Sequence, residues 1–362
     1  MHILNNPSQI KKLDQQNCYG SVVQLPKQCL HAWQDGQKFS VPKSYLKVNK
    51  LLMTGMGGSG LGARVIESVF ADQLKIPLIR LNDYHLPNWV DKQTLVICSS
   101  FSGTTEETVS NASAAQKKGC PWMSISTGGT LHQLALKNQV PALKINPTYN
   151  PSKQPRLAIG YSVIGQLIMA SKAKLITFSK KELDYLIKTM NQVIKKNKIE
   201  ISLFQNQAKK MAQAFVQKEI IFTAARHLTG SAHTVKNQMN ENSKNISHRH
   251  DIPELNHHLM EGLKFPDANK KHLLFLFLNS YLYSKSIQQR MNITQKVVAK
   301  NQVQTVSWQA KSKSKLSQAF ELIQFGALVN FYLSMLYQIN PAPIPWVDYF
   351  KKELGQPLGQ WK

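Results

Sequence analysis

The stretch Leu51-Leu52-Met53-Thr54-Gly55-Met56-Gly57-Gly58-Ser59-Gly60 joins an apolar run to a glycine-rich turn. A comparable join occurs at Leu95-Val96-Ile97-Cys98-Ser99-Ser100-Phe101-Ser102-Gly103-Thr104-Thr105. Each apolar run predicts a buried strand, and each turn opens a predicted helix. Helix N-termini leave N–H groups unpaired, glycines let the backbone approach an anion, and hydroxyls add donors. The two turns therefore predict a pocket for a small anion.

The composition is that of a folded, two-domain protein. A chain of 362 residues exceeds one typical core, and 42% hydrophobic with 18% charged residues argues against disorder. The formal net charge of +25 arises from 45 basic and 20 acidic residues. Such a field attracts sugar phosphates, nucleic acids and anionic lipids alike, so charge alone does not identify a partner.

The cysteines and the apolar segments bear on the compartment. Cys18, Cys29, Cys98 and Cys120 have no CxxC spacing, which favours reduced thiols and a cytoplasmic protein, and the N-terminus carries no secretory signal pattern. The uncharged stretch 322–347 contains polar residues and its helical part ends at Asn340-Pro341. We therefore expect a buried core helix there rather than a membrane span.

The first half alternates predicted strands and helices, which indicates an α/β domain with a parallel sheet flanked by helices. Its strands are predicted at 50–54, 76–81, 94–99, 122–127 and 141–145, and its helices at 60–72, 104–118, 130–138 and 157–170.

A lysine-rich surface helix near 178–200 is predicted to bridge to a second domain in which the alternation restarts. We assign the domains to 1–175 and 176–362, and their common strand-turn-helix opening suggests a duplicated fold. The second domain has predicted strands at 219–223, 272–278 and 303–308, and predicted helices from the Gly230-Ser231 turn to 244, at 316–339 and at 347–354.

The first glycine turn fits two kinds of anion site. Gly55-x-Gly57-x-x-Gly60 matches the dinucleotide fingerprint, and Asp83 stands near the acidic position which that site requires. A Walker A loop is excluded because Leu61 follows Gly60. The dinucleotide hypothesis leaves the hydroxyls of the second turn unexplained, so the pair of turns favours a phosphate monoester.

Met-Gly-Gly-Ser-Gly (56–60) and Ser-Phe-Ser-Gly-Thr-Thr-Glu-Glu-Thr (100–108) resemble the phosphosugar-binding turns of the sugar isomerase (SIS) domain. The family usually has tyrosine and asparagine where this chain has Phe101 and Thr104. The resemblance implies two SIS-type domains and a set of phosphate- and sugar-binding residues, namely Gly57, Gly58, Ser59, Ser100, Ser102 and Thr105.

The second half carries candidate acid–base residues. Moving a proton between adjacent sugar carbons needs a base that can return it, and a partly desolvated carboxylate such as Glu241 is suited to this. His257, sixteen residues later, titrates in the range needed for ring opening. Glu241 could equally be a solvated helix residue and His257 a structural histidine. The group His248, His250, His257 and His258 lies in a proline-containing loop without zinc-type spacing, so we expect no metal site.

Lys236-Asn237-Gln238-Met239-Asn240-Glu241-Asn242-Ser243-Lys244 and Pro253-Glu254-Leu255-Asn256-His257 resemble segments of the bifunctional phosphoglucose/phosphomannose isomerases, and the likeness spans about 19–354. The resemblance implies that Glu241 is the C1/C2 base and that His257 opens the ring of a substrate in the other subunit of a homodimer. Arg156, after Pro155, would stabilise the enediolate, as a fixed guanidinium offsets negative charge. Lys351 would be the C-terminal site lysine, with Lys352 as the alternative in the next register.

These features predict a cytoplasmic aldose–ketose isomerase that interconverts glucose 6-phosphate with fructose 6-phosphate and needs no cofactor. Ala342 stands where the family often has threonine, which leaves activity on mannose 6-phosphate open. A non-catalytic sugar-phosphate sensor is the alternative, although the first 45 residues do not suggest a helix-turn-helix. The basic residues are spread along the chain, which predicts a solvated surface rather than nucleic-acid binding.

Overall fold

The computed structural model describes residues 2–355 and contains two parallel sheets. The first sheet has five strands in the order β2-β1-β3-β4-β5, and every pairing is parallel. In chain order, this part of the structure contains α1 (Pro7–Leu13), α2 (Cys18–Val23), α3 (Leu25–Gly36), β1 (Lys50–Thr54), α4 (Leu61–Val69), β2 (Leu78–Leu81), β3 (Thr94–Ser99), α5 (Glu106–Lys117), β4 (Trp122–Ser126), α6 (Gly129–Lys137), β5 (Ala142–Lys144) and α7 (Ile159–Lys172).

The second sheet has four parallel strands in the order β7-β6-β8-β9, which repeats the order of the first four strands of the other sheet. The two sheets thus share a topology, as the sequence alternation predicted. The elements of this part are α8 (Lys180–Asn197), α9 (Gln207–Phe215), β6 (Glu219–Ala224), α10 (Thr229–Gln238), β7 (Ser247–Asp251), α11 (Asn269–His272), β8 (Leu273–Asn279), α12 (Lys285–Lys300), β9 (Gln304–Gln309), α13 (Lys315–Leu336) and α14 (Pro345–Gly355).

Helix α13 joins the two cores. Leu316, Ala319, Phe320 and Ile323 pack with the first sheet's core, whereas the stretch from Leu322 to Met335 belongs largely to the second. By length and composition α13 could cross a membrane, but 94% of its apolar window is buried inside the protein. The prediction of a core helix is therefore confirmed, and all-round burial explains why its apolar residues have no single face.

The first helices of the chain, α1 and α2, pack against the second sheet, although the first sheet follows them in sequence. Leu4, Ile10, Cys18 and Val22 lie in the core of the second sheet. The division of the chain at 175/176 remains a prediction, because these residues precede the boundary but are buried with the residues that follow it. All four cysteines are buried, and no disulfide joins them.

Two local predictions need correction. The segment expected to be a histidine-containing loop includes β7, so His248 and His250 lie on an edge strand. The helix expected to run to residue 244 ends as an α-helix at Gln238 and continues as a π-helical turn over Met239–Ser243. Strand β7 was missed because its sequence Ser-His-Arg-His-Asp is polar throughout, and an edge strand buries few of its side chains.

Candidate active site

The two glycine and hydroxyl turns leave neighbouring parallel strands at the same edge of the first sheet. Thr54 of β1 is in register with Cys98 of β3, so the turns begin side by side. The strand order reverses direction between β1 and β3, because β2 lies on one side of this pair and β4 on the other. Such a switch point opens a crevice beyond the carboxyl ends of the strands, where ligands of open α/β sheets bind.

The first turn is built by backbone geometry that glycine permits. Gly57 has φ +50°, a left-handed conformation that side chains disfavour. A Cβ on Gly58 would stand 3.1 Å from the Pro155 carbonyl oxygen and 3.3 Å from the Arg156 nitrogen, so this turn lies directly against that segment. The Phe101 N–H donates to Ser59 Oγ at 2.8 Å and ties the two turns together.

The second turn is organised by its own hydroxyl groups. Ser100 is fully buried, and its Oγ accepts the Gly103 N–H at 3.0 Å and lies 2.8 Å from Thr105 Oγ1. Ser100 therefore shapes the turn from inside. Ser102 is exposed, with its Oγ 2.9 Å from Thr104 Oγ1, and Thr105 precedes the first turn of α5. The exposed hydroxyls and the N-terminal N–H groups of α5 are the donors free to meet an anion.

Arg156 is held rigidly behind these turns. Its side chain is 2% exposed, and within residues 2–355 four of its five N–H groups donate to protein oxygens. The acceptors are Asn242 Oδ1 at 2.6 Å, Gln154 Oε1 at 2.7 Å, and the carbonyls of Pro341 at 2.9 Å and Ala342 at 2.6 Å. This bonding leaves one Nη1 N–H for a further partner.

Glu241 stands beside that guanidinium on the π-helical turn. Its Oε2 lies 3.8 Å from Arg156 Nη1, which is an ion pair beyond hydrogen-bond range, and its side chain remains 30% exposed. Burial raises the pKa of Glu241 above its usual range, while the charges of Arg156, Lys244, Lys351 and Lys236 oppose that rise. A carboxylate that is desolvated, partly accessible and not hydrogen-bonded to its cation can accept a proton.

Three lysines bear on this site, namely the predicted Lys351, its alternative Lys352, and Lys244. Lys351 on α14 is exposed, and its charge lowers the pKa of Glu241. Lys352, the alternative in the next register, is also exposed, and the choice between the two lysines stays a prediction. Lys244 was quoted in the motif without a role, yet it donates to the Glu241 carbonyl at 2.5 Å and to the Pro341 carbonyl at 3.2 Å.

His257 lies apart from Glu241. Strand β7 ends at Asp251 at the carboxyl edge of the second sheet, and the exposed His257 follows near that edge, because the ring of the adjacent His258 lies 6.2 Å from that of His250. Helix α10 runs back from that edge and carries Glu241 to the opposite one, where Asn245 Nδ2 donates to the Lys218 carbonyl just before β6. Ten residues of α10 at 1.5 Å each put about 15 Å between the two edges. One chain therefore does not bring His257 to its own Glu241.

Sequence reasoning missed the residues that support Arg156. They are the side-chain oxygens of Gln154 and Asn242, the carbonyls of residues 341 and 342, and Gln238, whose Nε2 donates to the Arg156 carbonyl at 2.9 Å. Asn242 sits inside the quoted motif beside Glu241, and this was the available signal. Within residues 2–355 no group of three histidine, cysteine or acidic side chains is placed to hold a metal ion.

Comparison with known proteins finds relatives along nearly the whole chain. Residues 204–354 match the family model described as bacterial phospho-glucose isomerase C-terminal SIS domain. A bifunctional phosphoglucose/phosphomannose isomerase of Caldicellulosiruptor bescii is 34% identical over 345 residues, covering 93% of this chain and 99% of that relative. A protein of the same name from Thermoplasma volcanium is 27% identical and covers 85% of this chain and 92% of its own length.

Solved structures share the fold at low sequence identity. A hypothetical protein from Thermus thermophilus superposes with a TM-score of 0.74 at 16% identity, covering 97% of this chain and 94% of the other. A glucose-6-phosphate isomerase like protein from the same organism gives a TM-score of 0.62 at 13% identity, with 97% and 99% covered. The likeness in sequence to the Caldicellulosiruptor bescii relative extends along nearly the whole of both proteins. This protein therefore belongs to the bifunctional phosphoglucose/phosphomannose isomerase family.

Proposed function

We propose that this protein is an aldose–ketose isomerase that interconverts glucose 6-phosphate, and mannose 6-phosphate, with fructose 6-phosphate. The observation that carries the proposal is the pairing of Glu241 with Arg156. A carboxylate with a raised pKa stands 3.8 Å from a buried guanidinium that keeps one N–H uncommitted. The glycine turn that is suited to a phosphate lies against the same arginine.

The phosphate would be bound by Gly57, Gly58 and Ser59 with Ser102 and Thr105, and Ser100 would hold the second turn in shape. Backbone N–H groups and hydroxyls suit an anion, and the N-terminus of α5 adds partial positive charge. Gly58 abuts Pro155, so an anchored phosphate would set the distance of the sugar carbons from Arg156. Anchoring of this kind converts binding energy into orientation.

Glu241 would transfer the proton. It takes the C2 proton of the open-chain aldose, and the C2–H electron pair forms the C1–C2 double bond of an enediol as the carbonyl oxygen gains charge. The C2 hydroxyl gives up its proton and O1 gains one, and return of the carbon-bound proton to C1 then gives the ketose, so C2 is oxidised and C1 reduced within one molecule. No external oxidant, metal or organic cofactor enters this balance. The remaining Arg156 N–H and the Lys351 ammonium would stabilise the developing oxyanion.

His257 would act in the site of a partner subunit. It is exposed, and it lies at the opposite edge of the second sheet from the Glu241 of its own chain. A two-fold homodimer places equivalent residues in both sites, so one contact could complete both. The four buried, unpaired cysteines support a reducing, cytoplasmic location. The names of the relatives do not favour the sugar-phosphate sensor.

A coupled assay run in parallel on glucose 6-phosphate and mannose 6-phosphate tests the reaction and its epimer preference. Glu241→Gln should lower kcat by at least about 10²-fold, because general base catalysis typically contributes 10²–10⁴-fold. Glu200→Gln is the matched control, because Glu200 is 65% exposed and pairs with Lys198 at 3.8 Å on the surface, and it should retain wild-type turnover. Near-normal turnover in a folded Glu241→Gln variant would defeat the assignment.

Subunit mixing tests the placement of His257. Glu241→Gln and His257→Ala are each expected to be inactive, but their mixed dimer would have one site with both native residues. Equal mixing with free exchange should restore about a quarter of wild-type activity in a symmetric dimer. Failure to restore activity after exchange has been demonstrated by mass would argue against a site shared between subunits.

A further inference from the structure

Lys244 is the residue that ends the π-helical segment, and it has an unusual backbone. Its φ of +54° places a non-glycine residue in the left-handed region, where the chain leaves the helix. From there the side chain turns back over the segment, and Nζ donates to the Glu241 carbonyl at 2.5 Å. An ammonium with three N–H groups can close the turn and still bind a second acceptor.

The second acceptor connects Lys244 to Arg156. The Pro341 carbonyl accepts from Lys244 Nζ at 3.2 Å and from Arg156 Nη2 at 2.9 Å. Arg156 also binds the next carbonyl, that of Ala342, at 2.6 Å. Two like charges thus share one backbone turn, and their mutual repulsion is offset by carbonyl dipoles aimed at both. We call residues 341–342 the carbonyl turn.

The carbonyl turn leads into α14. This helix begins at Pro345, three residues after Ala342, and carries Lys351. The charge of Lys351 acts on the pKa of Glu241, so the position of α14 matters at the site. Lys244 therefore contacts both segments whose relative position has to be kept, the one that bears the base and the one that leads to Lys351.

We propose that Lys244 is a positioning residue that fastens the Glu241 turn to the carbonyl turn and thereby fixes the base relative to Arg156 and α14. The catalytic consequence rests on the proposed function, whereas the structural fastening does not. Lys244 is exposed on its outer side, and the partial burial of its ammonium and the nearby Arg156 lower the pKa of Lys244 to about 8. Lys244 is also a cation whose loss would leave Glu241 easier to protonate.

Lys244→Met tests the proposal, because methionine keeps much of the side-chain length but loses the charge and both hydrogen bonds. We expect kcat to fall between about 10- and 10²-fold, since a misplacement of about 1 Å can cost the larger factor. The KM should change less than about threefold, because Lys244 does not contact the phosphate turns. The acidic limb of the kcat/KM profile should move to higher pH.

Two further variants separate position from charge. Lys244→Arg keeps a cation, so the acidic limb should stay near that of the wild type even if kcat falls. Lys195→Met, at an exposed lysine on α8, is the matched control and should change neither kcat nor the profile. An unchanged kcat and an unmoved acidic limb in Lys244→Met would overturn the proposal.

Amide hydrogen exchange tests the fastening by Lys244 independently of any enzymatic activity. Amides of 239–245 and of 343–350 should exchange faster in Lys244→Met, while those of β3 should not. If the wild type proves inactive on both sugar phosphates, the proposed function fails but the exchange result still tests the fastening. Unchanged exchange in both segments would refute it whatever the activity.

Discussion

Replacing Arg156 by lysine keeps the charge and removes the geometry. The three guanidinium nitrogens of Arg156 donate hydrogen bonds to four oxygens, whereas a lysine ammonium has a single nitrogen with three N–H groups. At least one oxygen among Asn242, Gln154, Pro341 and Ala342 must therefore lose its partner, and the shorter reach makes two the better expectation. The position is 2% exposed, so water does not readily replace the lost bonds.

The expected magnitudes follow from that count. Each buried acceptor left unpaired costs about 1–3 kcal/mol, so with two of them Arg156→Lys should lower the free energy of unfolding by about 2–6 kcal/mol. The uncommitted Nη1 N–H that would face the enediolate is lost as well. Removing one such donor costs about 10²–10³-fold in kcat. We expect the KM to change far less, because the phosphate turns are untouched.

Urea unfolding and the coupled isomerase assay measure the two effects. Arg226→Lys is the matched control, because Arg226 is 63% exposed and pairs with Asp72 at 3.6 Å on the surface. It should change stability by less than about 1 kcal/mol. If Arg156→Lys unfolded like the wild type and kept kcat within threefold, the four-bond arrangement would not matter and the reasoning would be refuted.

Three other predictions concern separate features. Burial raises the pKa of Glu241, and this proposed base must be ionised to act, so activity should fall on acidification at a higher pH than for an ordinary glutamate. A pH profile of kcat/KM with its acidic limb at or below about 4.3 would contradict this. Gly58→Ala places a Cβ 3.1 Å from the Pro155 carbonyl oxygen and should displace Arg156, so that stability falls by about 1–3 kcal/mol and activity falls as well. Gly262→Ala, whose Cβ meets nothing within 4 Å, should change neither stability nor activity in the same two assays. Lys209 is fully buried and donates to the carbonyls of Leu4, Ile199 and Ile201, so Lys209→Met should lower the free energy of unfolding by about 3 kcal/mol. Thermal and urea unfolding check this against Lys210→Met at the neighbouring exposed lysine, and equal stability of the two variants would rule the prediction out.

Local pattern was enough for the parts of the fold that are built locally. The apolar runs at 51–53 and 95–98 became β1 and β3, and the glycine and hydroxyl turns after them lie at the carboxyl ends of those strands. Strand alternation and turn chemistry act over a few residues, so they are legible in one sequence. The strand β7 was missed because a short polar edge strand lacks the apolar signal.

The chemistry depended on residues far apart in the chain. Glu241 and Arg156 are brought together by Gln238 and Asn242, which contact Arg156 from across 82 and 86 residues. The carbonyls of the 341–342 turn approach from further still, and backbone acceptors leave no mark in side-chain sequence.

Short-range pattern in the sequence was enough to predict two α/β sheets, the phosphate-type turns and the residue types proposed for proton transfer. The tertiary structure decided which groups act on one another. It made Glu241 a carboxylate with a raised pKa, because burial and nearby cations are properties of its surroundings. It also set His257 at the opposite edge of the second sheet, because the direction of α10 separates residues that the sequence places only sixteen apart.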